Sequence, residues 1–292
     1  MPCSAGDDLP EIDTHFQPIV HLRDGELFGF EALARSSALA PGESPAILFA
    51  RAQRQGRLWE LDTSCRRMAA TRFAERAQGL FLLPRVHLFL NAHPLSLADP
   101  GHRPGLTRRW VQQAGLQPSQ VVLELTETVA LDQVAYLERA LGYYRDEGFQ
   151  IALDDMGAGH SALASIFTLR PDFIKIDRSL VTGVDRDRAR QHLVRGLAEA
   201  CRAASIQVVA EGIERPQELD ALRALGVELG QGFFLGRPAR LPRAVTRRAL
   251  SHIGRRAASS GTGIEGSGSP PPGPRRCSAP PGAWPGTHPT HG

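Results

Sequence analysis

Acidic and amide side chains recur at the ends of short apolar runs along most of this chain. GFEALAR carries Glu31, HLFLNAHP Asn91, VVLELTE Glu124, and QIALDD the adjacent pair Asp154 and Asp155. FIKID then supplies Lys175 and Asp177, QVVAEG supplies Glu211, and ELGQGFF supplies Gln231. Carboxylate and amide oxygens are hard ligands that suit Mg²⁺ or Mn²⁺ rather than zinc or copper. Two adjacent aspartates at a strand end, where the pleat breaks down, could reach two different ions. A pair of ions about 3.5–4 Å apart is the usual device for in-line phosphoester cleavage. Lys175 beside such a cluster would hold or polarise a water, or offset phosphate charge. Histidines contribute nothing to this pattern; His93 and His160 read as loop imidazoles.

The elements that must position these residues can be read from the same runs. A buried strand is an apolar run of about 4–8 residues, and in a parallel barrel the active-site groups sit where strands end. Two early strands, Phe16–Leu22 and Leu27–Leu33, flank Arg23-Asp24-Gly25, a hairpin-turn signal. A helical stretch is expected over Ser44–Arg76. Strands at 86–91, 121–126, 150–154, 173–176, 207–210 and 229–234 then alternate with helices near 106–114, 132–147, 161–169, 187–204 and 216–225. This alternation predicts βα units with parallel pairing, in either a closed barrel or an open doubly wound sheet.

The 292 residues fit one barrel-sized domain, and a hydrophobic content of 42% can fill a large core. From Thr246 onward there are six arginines against one glutamate, so the net +3 of the whole chain leaves −2 for the rest. The basic balance belongs to the tail, and no DNA or RNA partner is expected. Cys3, Cys65, Cys201 and Cys277 form no C-x-x-C pair, which fits a reducing compartment. No signal peptide and no membrane span is read, and a cytoplasmic location is expected. A folded domain is expected over 8–245. The Pro-, Gly-, Ser- and Arg-rich tail over 246–292 reads as mostly disordered.

The motifs EALAR, LNAHPLSL, LELTET, LDDMGAG, PDFIKIDRSLV, VVAEGIE and QGFFLGRP, in this order from Phe16 to Pro238, closely resemble those of the EAL family of cyclic-di-GMP phosphodiesterases. The family takes its name from the tripeptide that is Glu31-Ala32-Leu33 here. The resemblance implies an α/β, TIM-like (β/α)8 barrel with one early antiparallel strand, as a single domain. It also implies hydrolysis of cyclic di-GMP to linear pGpG with two Mg²⁺ or Mn²⁺ ions, inhibition by Ca²⁺, and a homodimer. Glu31, Asn91, Glu124 and Asp154 match ligands of the first metal, with Asp154 bridging; Asp155 and Asp177 match those of the second. Lys175 and Glu211 match the pair that positions and deprotonates the attacking water. Arg35 matches a phosphate clamp, Gln231 a contact to the nucleotide or to a metal-bound water, and Gln17 and Phe233 contacts to the guanine bases. Glu127 and Glu214 match carboxylates that hold the ligands without touching the ion.

One motif departs from the family. The loop after Asp155, usually Phe-Gly-Thr-Gly-Tyr, reads Met156-Gly157-Ala158-Gly159-His160. Gly157 and Gly159 keep the tight turn, while the threonine hydroxyl is missing. No fused regulatory domain is expected within these 292 residues. The alternative to a hydrolase is a weak or inactive EAL barrel that acts as a cyclic-di-GMP receptor or protein-interaction module. Such relatives usually lack several metal ligands, and every matched ligand is present here.

Overall fold

In a computed structural model of the protein, described over residues 9–40, 43–77, 86–97, 99, 105–126, 134–156, 166 and 168–260, the strands close into a barrel in the order β1 to β8. They are β1 (Ile12–His21), β2 (Leu27–Ser36), β3 (His87–Asn91), β4 (Val121–Thr126), β5 (Gln150–Met156), β6 (Phe173–Ile176), β7 (Gln207–Ala210) and β8 (Leu229–Gly230). Strand β1 pairs antiparallel with both β2 and β8, and every other neighbouring pair is parallel. The closed TIM-like barrel with one early antiparallel strand is therefore the architecture. The antiparallel step follows from the expected hairpin: Gly25 takes φ +77°, and the Glu26 N–H donates to Asp24 Oδ1 at 2.9 Å.

Helices cover the outside of the barrel. They are α1 (Ala46–Arg54), α2 (Leu58–Ala77), α3 (Pro94–Leu97), α4 (Leu106–Gln113), α5 (Val134–Asp146), α6 (Arg178–Val181), α7 (Arg188–Ala203), α8 (Pro216–Ala224) and α9 (Arg247–Ser260). The single helix expected over 44–76 is in fact two, because Gly56 at φ +67° ends the first and turns the chain into the second. The helix expected over 161–169 falls largely outside the described residues. The last strand is shorter than the expected 229–234. Its apolar run continues into a turn in which Phe234 and Leu235 stay buried without pairing in the sheet. Helix α9 lies beyond the boundary expected at 246, and it buries Ala249 and Ile253 against the main core. Its arginine-rich composition hides that apolar i, i+4 pair.

Strand alternation sorts the barrel interior into layers. Ile19, Phe89, Val122, Ala152, Phe173, Val209 and Leu229 form one closed apolar cluster inside the barrel. Outward-facing neighbours such as Phe30, Leu88, Leu123, Ile151 and Ile174 join the larger cluster under the helices. Burial on both faces is why the parallel strands read as nearly unbroken apolar runs. Two residues from members of the inner cluster, on the same face of their strands, stand Gln17, Asn91, Glu124, Asp154 and Lys175, with Glu211 and Gln231 just past the ends of β7 and β8. Glu31 joins this upper layer from β2, two residues past Gly29.

Candidate active site

The polar layer is crowded around Lys175, whose side chain is fully buried at the end of β6. Its Nζ lies 2.6 Å from Glu211 Oε1, 2.9 Å from Glu124 Oε1, 3.3 Å from Asp154 Oδ1 and 3.5 Å from Glu31 Oε2. Three strands, and Glu211 just past the end of β7, thus aim carboxylates at one ammonium. Burial works against the lysine's charge, but Asp154, Glu124, Glu211 and Glu31 outweigh it and hold its pKa well above the ordinary value. Burial likewise raises the Glu124 carboxyl well above its usual range, against the pull of Lys175. It pushes Glu211 up to about 7, with Lys175 opposing and Asp154 and Glu31 adding to the rise.

Amides complete the layer. Gln231 Nε2 donates to Glu31 Oε2 at 2.6 Å and to Gln17 Oε1 at 3.0 Å, and Gln17 Nε2 donates to the Gly236 carbonyl at 3.0 Å. Asn91 Nδ2 approaches Glu31 Oε1 at 3.4 Å. Both glutamines are buried, so the structure brings them to Glu31 rather than to an open surface. The turn carrying Gln231 is fixed by Gly232, where a Cβ would meet the Ile213 backbone at 2.2 Å. The Ile213 N–H donates to the Gln231 carbonyl at 3.0 Å, locking that turn to the chain after β7.

The pair Asp154-Asp155 sits at a register shift of β5 against β6, between Leu153 and Met156. An extra residue at such a bulge re-aims side chains at a barrel rim. The side chain of Asp155 lies outside the described residues. Asp177 accepts from the Ser179 N–H at 2.8 Å and caps α6; burial opposes its charge, but hydrogen bonds from Ser179 and Arg178 hold its carboxyl below the usual range. Arg35 donates to the Ala34 carbonyl at 2.8 Å and lines an open cavity with Glu11, Asp13 and Glu43. Phe233 is exposed, with the Arg237 guanidinium stacked 4.2 Å from its ring centre. Glu214 pairs with Arg178 at 2.9 Å. Glu127, Gly157 and Gly159 lie outside the described residues. Thus the structure gathers Glu31, Asn91, Glu124, Asp154, Lys175, Glu211, Gln17 and Gln231, and leaves Arg35, Asp177, Glu214 and Phe233 around them.

The donor set suits a divalent cation. Four carboxylates face one ammonium, an excess of negative charge in a buried site, and neither oxygen of the fully buried Glu124 has a well-directed hydrogen bond. Oε1 has the Lys175 ammonium at 2.9 Å, and a buried carboxylate oxygen such as Oε2, with no hydrogen-bond donor among the described residues, fits Mg²⁺ or Mn²⁺. Among the described residues no three His, Cys, Asp or Glu side chains are already drawn into a coordination shell.

The model of the EAL domain matches residues 8–238. The chain is 32% identical over 237 residues to the probable cyclic di-GMP phosphodiesterase PdeG of Escherichia coli (strain K12), covering 78% of this chain and 45% of that protein. It spans only 27%, 31% and 28% of the length of three further relatives. A standalone EAL protein from Vibrio cholerae O395, solved in its c-di-GMP bound form, superposes with a TM-score of 0.73 at 27% identity, over 84% of this chain and 99% of that one. BlrP1 of Klebsiella pneumoniae, in a calcium/cy-diGMP complex, gives a TM-score of 0.72 at 30% identity, over 80% of this chain and 57% of that one. A manganese/cy-diGMP complex of BlrP1 superposes with a TM-score of 0.71.

Proposed function

We propose that this chain, which belongs to the EAL domain family, hydrolyses cyclic di-GMP to linear pGpG by attack of water on one phosphodiester. The observation that carries this reading is the convergence of Glu31, Glu124, Asp154 and Glu211 on Lys175 at the C-terminal ends of the parallel strands. That rim is where catalytic groups of a barrel sit.

Glu31, Asn91, Glu124 and Asp154 would hold one Mg²⁺ or Mn²⁺, with Asp155 and Asp177 completing a second site beside Asp154. Bound ions supply Lewis-acid charge at the reacting phosphate and lower the pKa of water. Glu211, its carboxyl made more basic by burial and placed beside Lys175, accepts the proton of the attacking water. Lys175, held charged, orients that water and offsets charge building on the phosphate. A phosphorus–oxygen bond forms to the water, the bond to one ribose oxygen breaks, and that oxygen takes up a proton from solvent as the proton held by Glu211 is released. Gln231 and Gln17 keep the Glu31 carboxylate turned into the layer, and Arg35 takes the second phosphate.

The test is purified protein with cyclic di-GMP in Mg²⁺, Mn²⁺, Ca²⁺ or EDTA, with products followed by chromatography. Turnover to pGpG with Mg²⁺ or Mn²⁺ and none in EDTA is expected. Ca²⁺, with longer bonds and a looser shell, should permit nucleotide binding without turnover. Tight binding of cyclic di-GMP with no hydrolysis under saturating Mn²⁺ would make the barrel a receptor instead.

A further inference from the structure

Behind the polar layer lies a second buried charge cluster that takes no part in the chemistry. On α2, Asp62 and Arg66 face each other one turn apart at 2.8 Å, with side chains only 1% and 2% exposed. The two carboxylate oxygens are divided: Oδ2 accepts from Arg66 Nη2, and Oδ1 accepts from the backbone N–H of His93 at 3.0 Å. Arg66 Nη1 donates to Thr107 Oγ1 at 3.1 Å and to the Tyr144 hydroxyl at 3.2 Å, on α4 and α5. The contact that matters is the one to His93, two residues beyond Asn91 at the end of β3. Between them, the Ala92 N–H donates to the Glu124 carbonyl at 2.8 Å, so the same short segment also grips the end of β4.

An isolated ion pair this deep is poor value for stability, because desolvating both charges offsets most of their attraction. A buried carboxylate anchored by its own arginine is, however, a stiff acceptor for a backbone N–H. It fixes where the chain leaves β3, and with it the direction of Asn91. We infer that Asp62 is a positioning residue for the metal site: braced by Arg66, it clamps the segment after β3 so that Asn91 and Glu124 meet the ion in one geometry. This rests on the proposed metal site and names a device within it. Groups that orient ligands without touching the ion typically change metal affinity by about 10–100-fold when lost.

The experiment is Mn²⁺ binding by titration calorimetry, with melting temperature in EDTA, on the full chain. The variants are Asn91→Ala, the apolar pair Asp62→Leu/Arg66→Met, and Asp62→Asn. Asn91→Ala should weaken Mn²⁺ binding; if it does not, the metal-site reading itself fails. Given that loss, the apolar pair should keep its melting temperature within a few degrees and bind Mn²⁺ about 10–100-fold more weakly, and excess Mn²⁺ should restore turnover. Asp62→Asn keeps an oxygen for the His93 N–H but loses the one that faces Arg66, and should bind Mn²⁺ more tightly than the apolar pair and more weakly than wild type. Wild-type Mn²⁺ affinity in the apolar pair would overturn the inference. So would an unfolded apolar pair, or an Asp62→Asn variant as weak as Asn91→Ala, because either makes the pair a support of the barrel and not of the ligand.

Discussion

Two layers of one barrel, a single strand repeat apart, do opposite things. In the lower layer Ile19, Phe89, Val122, Ala152, Phe173, Val209 and Leu229 are buried and fill the interior with apolar volume. In the upper layer Lys175, Glu124, Glu31 and Gln231 are buried as deeply, yet they concentrate charge and strip it of water. The same backbone, pleat and register hold both. The lower layer stabilises the fold through area removed from water, at roughly 25 cal/mol per Å². The upper layer raises the carboxyls of Glu124 and Glu211, a free-energy cost that a divalent cation would relieve. Apolar packing and the proposed chemistry are thus separated along the strand direction.

The comparison breaks most readily at Lys175 and Glu211. Removing either group from the proposed transition state should cost turnover on the order of 10²–10⁴-fold. In EDTA, Glu211→Ala should melt near wild type, whereas Lys175→Ala leaves Glu31, Glu124, Asp154 and Glu211 without their ammonium and should melt lower, with Mn²⁺ restoring part of the loss. Steady-state kinetics of Lys175→Ala and Glu211→Ala with a thermal melt would check this. A Glu211→Ala variant that melts far below wild type would place that residue in the scaffold. The converse substitution is Leu229→Ala in the lower layer. It should cost about 2–5 kcal/mol of stability, read from urea unfolding, with turnover of the folded molecules within about tenfold of wild type.

How much of this division was legible in the sequence depends on the scale of the feature. Each strand reads as an apolar run with one polar residue near its C-terminal end, so Asn91, Glu124, Asp154, Lys175 and Glu211 could be placed before any coordinates. The bulge at Asp154-Asp155 agrees with two adjacent aspartates at a strand end. Contacts between distant segments were not legible. Gln17 and Gln231 are 214 residues apart, and nothing in either motif says that they bind each other. Asp62 and Arg66 look like an ordinary solvated i, i+4 pair, because burial depends on which helices pack over them. The break at Gly56 was missed because apolar residues recur on both sides of it. Helix α9 was missed because its arginines resemble the composition that follows.

Smaller effects sharpen the contrast at its edges. Supplying the hydroxyl with Ala158→Thr adds one hydrogen-bonding group to the sequence motif that follows Asp155. A net contribution of roughly 0.5–1.5 kcal/mol corresponds to a gain of up to about tenfold in turnover under saturating Mg²⁺. Truncation separates the two parts of the C-terminal region. Ending the chain after Ser260 should leave melting temperature and turnover unchanged. Ending it before Arg247 removes the buried Ala249 and Ile253 and should lower the melting temperature by several degrees. Equal behaviour of the two truncations would show that α9 contributes nothing to the core.

The most direct test of the division is Glu124→Gln, an isosteric change that removes one charge from the upper layer and alters no volume. Melting temperature with and without Mn²⁺, together with turnover of cyclic di-GMP, should be measured for this variant beside wild type. Because burial already disfavours the charge on Glu124, the variant should melt at or above wild type in EDTA. The Mn²⁺-induced rise in melting temperature and the turnover should both be lost. A variant that melts well below wild type in EDTA, yet keeps its Mn²⁺ shift and its hydrolysis, would contradict the assignment of this layer to metal and chemistry.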